Sequence, residues 1–135
     1  MTPVDTDAIA RAWIDYWNEH ERTGQFPDSD VGSFVFNLDR DTAWTVILRI
    51  LELVDPDPNG ALFQVLAASP TEDLIAEHGA TIIDNVEAEA LRNPRFKLLL
   101  GGVWRRGMPE DIWTRVEQCR GHAWPLPPNN RSRGP

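Results

Sequence analysis

Residues 43–54 constrain the fold more than any other stretch of the chain. Ala43, Trp44, Ile47, Leu48, Leu51 and Val54 recur at three- and four-residue spacing, and Val46, Ile50 and Leu53 lie beside them. That arc is broader than the single apolar stripe of a surface helix, so this helix must be covered on more than one side. Asp39 or Asp41 is placed to cap its start. Residues 55–60 (Asp-Pro-Asp-Pro-Asn-Gly) end it, because proline cannot continue the hydrogen-bond ladder and Asn-Gly turns the chain. The covering elements must also be helices. Phe34, Phe36 and Leu38 alternate as in a strand, but an isolated strand leaves its backbone unpaired and no second strand is found. Phe34, Val35 and Leu38 share a helical face, and residues 31–38 are read as a short helix.

The remaining punctuation predicts several short helices. From about residue 5 to 20, Ile9, Ala12, Trp13, Tyr16, Trp17 and His20 form one stripe, with Asp5 or Thr6 as cap and Gly24 and Pro27 beyond the end. Residues 61–68 read as a short apolar helix. Ser69, Pro70 and Glu72 have the spacing of a capping box that restarts the chain as a helix over 70–78, and Gly79 is a natural left-handed stop. Ile82, Ile83, Val86 and Ala90 mark a helix over 81–92. Asn93 and Pro94 open one over 95–100 that Gly101 and Gly102 end. The last stripe, Ile112, Trp113, Val116 and Cys119, follows Glu110 and Asp111, two acids suited to a positive helix end. The expected fold is all-α, an irregular orthogonal helical bundle or a short right-handed α-superhelix of about six to eight helices. One domain over residues 1–122 precedes a proline-rich tail, 123–135, in which 129–135 are expected to be disordered while Trp124 and Leu126 strap onto the body.

A resemblance enters with the residues 72–79 (Glu-Asp-Leu-Ile-Ala-Glu-His-Gly), continued by Ile83-Asp84, by Asn93-Pro94-Arg95-Phe96 and by Gly101-Gly102-Val103-Trp104. Upstream, residues 39–44 (Asp-Arg-Asp-Thr-Ala-Trp) belong to the same pattern. Together they resemble a family of short bacterial proteins defined by domain of unknown function 6869, over most of residues 30–118. The resemblance implies a helical bacterial protein and brings no activity, cofactor or partner with it.

The net charge of −8 conceals an asymmetry. Residues 1–91 carry 18 Asp and Glu against 4 Arg, a net of −14, whereas residues 92–135 carry 9 Arg and Lys against 3 acids, a net of +6. Either the basic end folds against the acidic part, or each faces a partner. Nucleic acid is disfavoured, because the acidic excess repels phosphates within a Debye length of about 8 Å. Membrane association is not expected: no run approaches the roughly 18 to 20 apolar residues of a bilayer span, Arg49 interrupting the 46–51 stretch, and the first residues lack the basic flank of a secretory signal. One cysteine, Cys119, cannot form an internal bridge, and the cytoplasm is the expected compartment. A chain of 135 residues can build its core without metal or disulfide.

Chemistry-bearing residues are few. Asp73, His78 and Asp84, with Glu72 and Glu77 nearby, would make a divalent metal site if they converged across Gly79. The simpler reading has Glu72 and Asp73 offsetting a helix dipole, Glu77 solvated and His78 bonding a helix end or Asp84; no second histidine or paired cysteine strengthens the metal. His20 is read as a helix-end histidine, and Cys119 as a buried, inert thiol on the last stripe. Residues 101–107 (Gly-Gly-Val-Trp-Arg-Arg-Gly) lack the preceding strand of a phosphate cradle, so Gly101 reads as a helix stop and Trp104 as a core plug, or else Arg105 and Arg106 bind an acidic partner. Of the six tryptophans, Trp13, Trp17, Trp44 and Trp113 fall on apolar stripes, leaving Trp104 and Trp124 as interface anchors. The preferred function is therefore a non-catalytic, cofactor-free interaction domain. Its acidic surface takes a basic protein, as an immunity or antitoxin factor does, with Trp104, Arg105, Arg106 and Trp124 as partner-binding candidates. The alternative is a small metal-dependent hydrolase using Asp73, His78 and Asp84.

Overall fold

In the computed structural model, which describes residues 4–125, apolar periodicity and capping explain most helix boundaries. Helix α1, Thr6–Thr23, starts where the Asp5 carboxylate accepts the Ala8 N–H at 3.0 Å. It ends at Gly24, whose φ of 74° puts its N–H 2.7 Å from the His20 carbonyl oxygen, a left-handed closure that costs glycine little. Residues 24–33 then fold back: a 3₁₀ turn, Val31–Ser33, packs on α1, with Gly32 so close that a Cβ there would meet Tyr16 Cε1 at 2.9 Å. Residues 34–37 are helical as expected, forming the short α2, Phe34–Asn37, with Phe34 and Val35 buried.

Helix α3, Arg40–Leu53, is capped by Asp39, whose carboxylate accepts the Thr42 N–H at 3.1 Å and the Thr42 hydroxyl at 2.5 Å. Ala43, Trp44, Val46, Ile47, Ile50 and Leu51 are buried. The broad arc is used as expected, because α3 touches α1 on one side and the later helices on others.

Helix α4, Ala61–Leu66, departs from the sequence reading. It runs without a break through a π-turn, Ala67–Thr71, into α5, Glu72–Arg92. Ser69 makes no capping hydrogen bond and Pro70 is buried inside the turn, whose wider spacing accommodates a residue without an N–H. The expected capping box fails because Glu72 turns inward to another part of the chain. Gly79 does not stop the helix either. The irregularity falls one residue earlier, at His78 (φ −124°, ψ 17°), whose carbonyl oxygen accepts the Thr81 hydroxyl at 3.0 Å. Gly79 is buried against the last helix, α7, Glu110–Cys119, and a Cβ there would sit 3.0 Å from Ile112 Cγ2. Its role is close helix approach.

Between α5 and α7, helix α6, Pro94–Leu100, is opened by the Asn93 side chain accepting the Arg95 N–H at 3.2 Å. Gly101 and Gly102 follow, and residues 121–125 return across them. The Trp124 N–H donates to the Gly101 oxygen at 2.8 Å and its indole Nε1–H to the Leu98 oxygen at 3.0 Å. Trp124 also stacks on Phe63, centroids 5.4 Å apart. A Cβ on Gly102 would fall 2.5 Å from Trp124 Cε3, and one on Gly101 2.7 Å from Trp124 Cδ1. The glycine pair is a seat for an indole as well as a helix end. The expectations for Leu126 and residues 129–135 lie outside the described residues. The fold is all-α, with no strand among the described residues, and no described helix is long and apolar enough to cross a membrane.

Candidate functional site

Glu72 organises the loop between α6 and α7. The carboxylate is buried, accepting the Trp104 backbone N–H at 2.7 Å and an Arg106 N–H at 3.1 Å. Arg106 also donates to Asp73 at 2.5 Å and is the described non-glycine residue with positive φ, 37°, a left-handed backbone that needs support from its surroundings. Burial holds the Glu72 carboxyl above its ordinary range, opposed by the Trp104 amide and then by Arg106. Val103 and Met108 are buried at the two ends of the loop, and Arg105 Nε donates to the Met108 oxygen at 3.2 Å. The Trp104 side chain stays 42% exposed. It is not a core plug.

The Asp73, His78 and Asp84 set does not converge. Asp73 is held by Arg106, while Asp84 is held by Arg115, which also binds Glu87. Those two carboxylates raise the Arg115 guanidinium above its ordinary value, Glu87 first. His78 instead borders an open cleft of about 420 Å³ with Glu77, Thr81 and Asp111. No group of three His, Cys, Asp or Glu side chains among the described residues is arranged to hold a metal ion. The geometry therefore offers no support to the hydrolase alternative. Of the four partner-binding candidates, Arg106 is committed to Glu72 and Asp73, and Trp124 to its glycine seat. Trp104 and Arg105 are exposed and carry no ion pair among the described residues; Arg106 is exposed too, but its guanidinium is paired.

The charge asymmetry is compensated in part within the fold. Along α5 the basic end folds against the acids: Arg106 covers Glu72 and Asp73, Arg115 covers Asp84 and Glu87, and Arg92 covers Glu89. Arg49 joins the start of α1 to the second half of α3 through Asp7 at 2.6 Å. Asp15, Glu21, Asp28, Asp30, Asp55 and Asp57 are exposed and have no arginine or lysine partner among the described residues.

Four of those acids flank an aromatic cluster that sequence reasoning missed. Phe26, 64% exposed, lies on the His20 imidazole with centroids 4.0 Å apart and planes 9° apart. Trp17 meets both rings edge-on, and Tyr16 packs against Trp17 and Phe26. His20 lies in the last turn of α1, at the helix end where the sequence reading placed it. Its Nδ1 is buried without a hydrogen-bond partner, as are the Nε1 atoms of Trp17 and Trp13. The hint in the sequence was a large aromatic residue between two breakers, Gly24 and Pro27; which ring it would land on depends on the turn at Gly24. Trp13 and Trp44 are buried, whereas Trp113 is only partly so and carries Arg120 over its ring at 5.0 Å. Cys119 is half-buried, and burial pushes its thiol up, followed by the charge of Glu87.

Fold and site thus define a helical domain with no strand and no metal-holding group of side chains among the described residues. A family model described as "Family of unknown function (DUF6869)" matches residues 18–124, and the chain belongs to that family. The match ends on Trp124, the residue seated on Gly101 and Gly102. Neither the curated proteins nor the solved structures compared with the chain contain a match to it.

Proposed function

We propose that this protein is a non-catalytic helical interaction domain whose acidic face binds a basic protein. The observation that supports it is the exposed carboxylates of Asp15, Glu21, Asp28 and Asp30, unpaired among the described residues, on the segments of chain on either side of an exposed Phe26. Along α5 the acids Glu72, Asp73, Asp84, Glu87 and Glu89 are matched by arginines, whereas Asp15, Glu21, Asp28 and Asp30 have no such partner among the described residues. Complementary charge speeds encounter with a basic partner, and an aromatic centre supplies the apolar contact that outlasts it. An immunity or antitoxin factor acting on a basic toxin is one role that fits this chemistry. The test is retention of proteins from the host extract on the immobilised domain, at low and at high salt, with wild type beside Asp28→Asn/Asp30→Asn. A basic protein retained by wild type at low salt and released by salt or by the double substitution is the expected result. Equal retention by both, insensitive to salt, would refute it.

A further inference from the structure

Three ring nitrogens on α1 are buried with nothing to bond: Trp13 Nε1, Trp17 Nε1 and His20 Nδ1. They recur at four- and three-residue spacing along one stripe. Trp13 is wholly buried in the core. Trp17 and His20 are only partly buried, and what stands over them is the residue 24–33 segment carrying Phe26. A buried polar atom without a partner costs about 1–3 kcal/mol, so two neighbouring ones under a single exposed ring call for a reason. The overlying segment adds to this. Phe26 turns most of its surface to water, and the carboxylates beside it, Glu21, Asp28 and Asp30, have no cationic partner among the described residues.

We propose that this cluster is a recognition site for an arginine side chain of the basic partner, with Phe26 as a displaceable cover. The inference rests on the interaction reading above and names what the acidic face recognises. Movement of residues 24–30 about Gly24 uncovers the imidazole face on which Phe26 stacks and frees the His20 ring to turn its edge outward. His20 Nδ1 then accepts an N–H from the guanidinium, and Trp17 Nε1–H donates to a main-chain carbonyl of the arriving segment. Asp28 and Asp30 balance the charge. Arginine fits better than lysine because its planar group stacks on aromatic faces while its several N–H donors reach nitrogen and carboxylate acceptors together.

The experiment is a fluorescence and NMR titration of the full chain with short capped peptides of alternating glycine and arginine, glycine and lysine, or glycine and citrulline. The arginine peptide should bind about tenfold more tightly than the lysine peptide, the citrulline peptide more weakly still, and the Trp17 indole N–H resonance should move during the titration. His20→Phe keeps a ring stacked on Phe26 but removes the nitrogen, and it should weaken arginine-peptide binding about tenfold with an unchanged circular dichroism spectrum. Trp17→Phe should act likewise. Equal affinity for arginine and lysine, wild-type affinity in His20→Phe, or no binding of any peptide would overturn the inference. If Asp28→Asn/Asp30→Asn releases the retained host protein while His20→Phe keeps it, the interaction domain stands and arginine recognition falls.

Discussion

Replacing Gly102 by alanine should cost this domain as much as removing the Trp124 side chain, because the two groups claim the same space. An alanine Cβ would overlap the six-membered part of the indole, 2.5 Å from Cε3, and Gly102 has no positive φ that would itself strain an alanine. The strap must lift. A buried tryptophan covers about 150–250 Å²; for the half-buried Trp124, roughly 100 Å² at about 25 cal/mol per Å² is about 2.5 kcal/mol. The two hydrogen bonds to Gly101 and Leu98 add about 1 kcal/mol each, and backbone freedom regained by the strap returns about 1–2 kcal/mol. The net loss is about 3 kcal/mol, or about 10 °C in Tm for a domain of this length. Thermal and urea unfolding of Gly102→Ala, Trp124→Ala and the double variant would measure it. Since each substitution abolishes the same contact, the double variant should be no less stable than Trp124→Ala, a coupling of about 2–3 kcal/mol. Additive losses, or a Gly102→Ala protein as stable as wild type, would refute the seat.

Other outcomes follow from the charged groups. Burial raises the Glu72 carboxyl, so its contribution to stability is greatest below its unfolded pKa of about 4.3 and is lost as pH rises through the folded value. Glu72→Gln keeps an acceptor for the Trp104 N–H and removes the titration; its Tm relative to wild type should therefore improve as pH rises from about 4 to 6, and a difference that is constant or moves the other way would contradict the assignment. Asp39 is lowered, first by the Thr42 hydroxyl and then by the Thr42 amide, so its stabilisation is present above its unfolded pKa of about 3.9 and lost as pH falls through the folded value. Asp39→Ala should lower Tm near neutral pH and make no difference near about pH 2, as thermal scans at the two pH values would show. Cys119, raised by burial, should react with iodoacetamide several-fold more slowly than free cysteine at about pH 8; equal rates would count against the half-buried thiol.

The core was legible wherever burial leaves a period in the sequence. Residues 43–54 announce α3 because each inward side chain is apolar, and Asp39 and Asn93 announce caps because their bonds close within three residues. Pro70 and Gly79 misled for the opposite reason. Their local meanings, start and stop, were overridden by contacts distant in sequence: Glu72 reaching the loop at Trp104 and Arg106, and Gly79 meeting Ile112. The site was legible only as a charge imbalance. That Arg106 and Arg115 pair with the acids of α5 while Asp15, Glu21, Asp28 and Asp30 have no such partner among the described residues depends on pairings across about thirty residues of chain, which no local pattern records. Phe26 stacking on His20 likewise depends on a single left-handed residue between them.

Hydrogen exchange of the domain, alone and with a basic protein captured in the retention experiment, tests the central claim most directly. Binding should slow amide exchange in the second half of α1, residues 14–23, and in residues 24–38, leaving α5, α6 and α7 at their unbound rates. Protection confined to the loop at Trp104 and Arg105, or to α6 and α7, with residues 14–38 unaffected, would place the partner elsewhere and contradict the acidic, aromatic face as its binding surface.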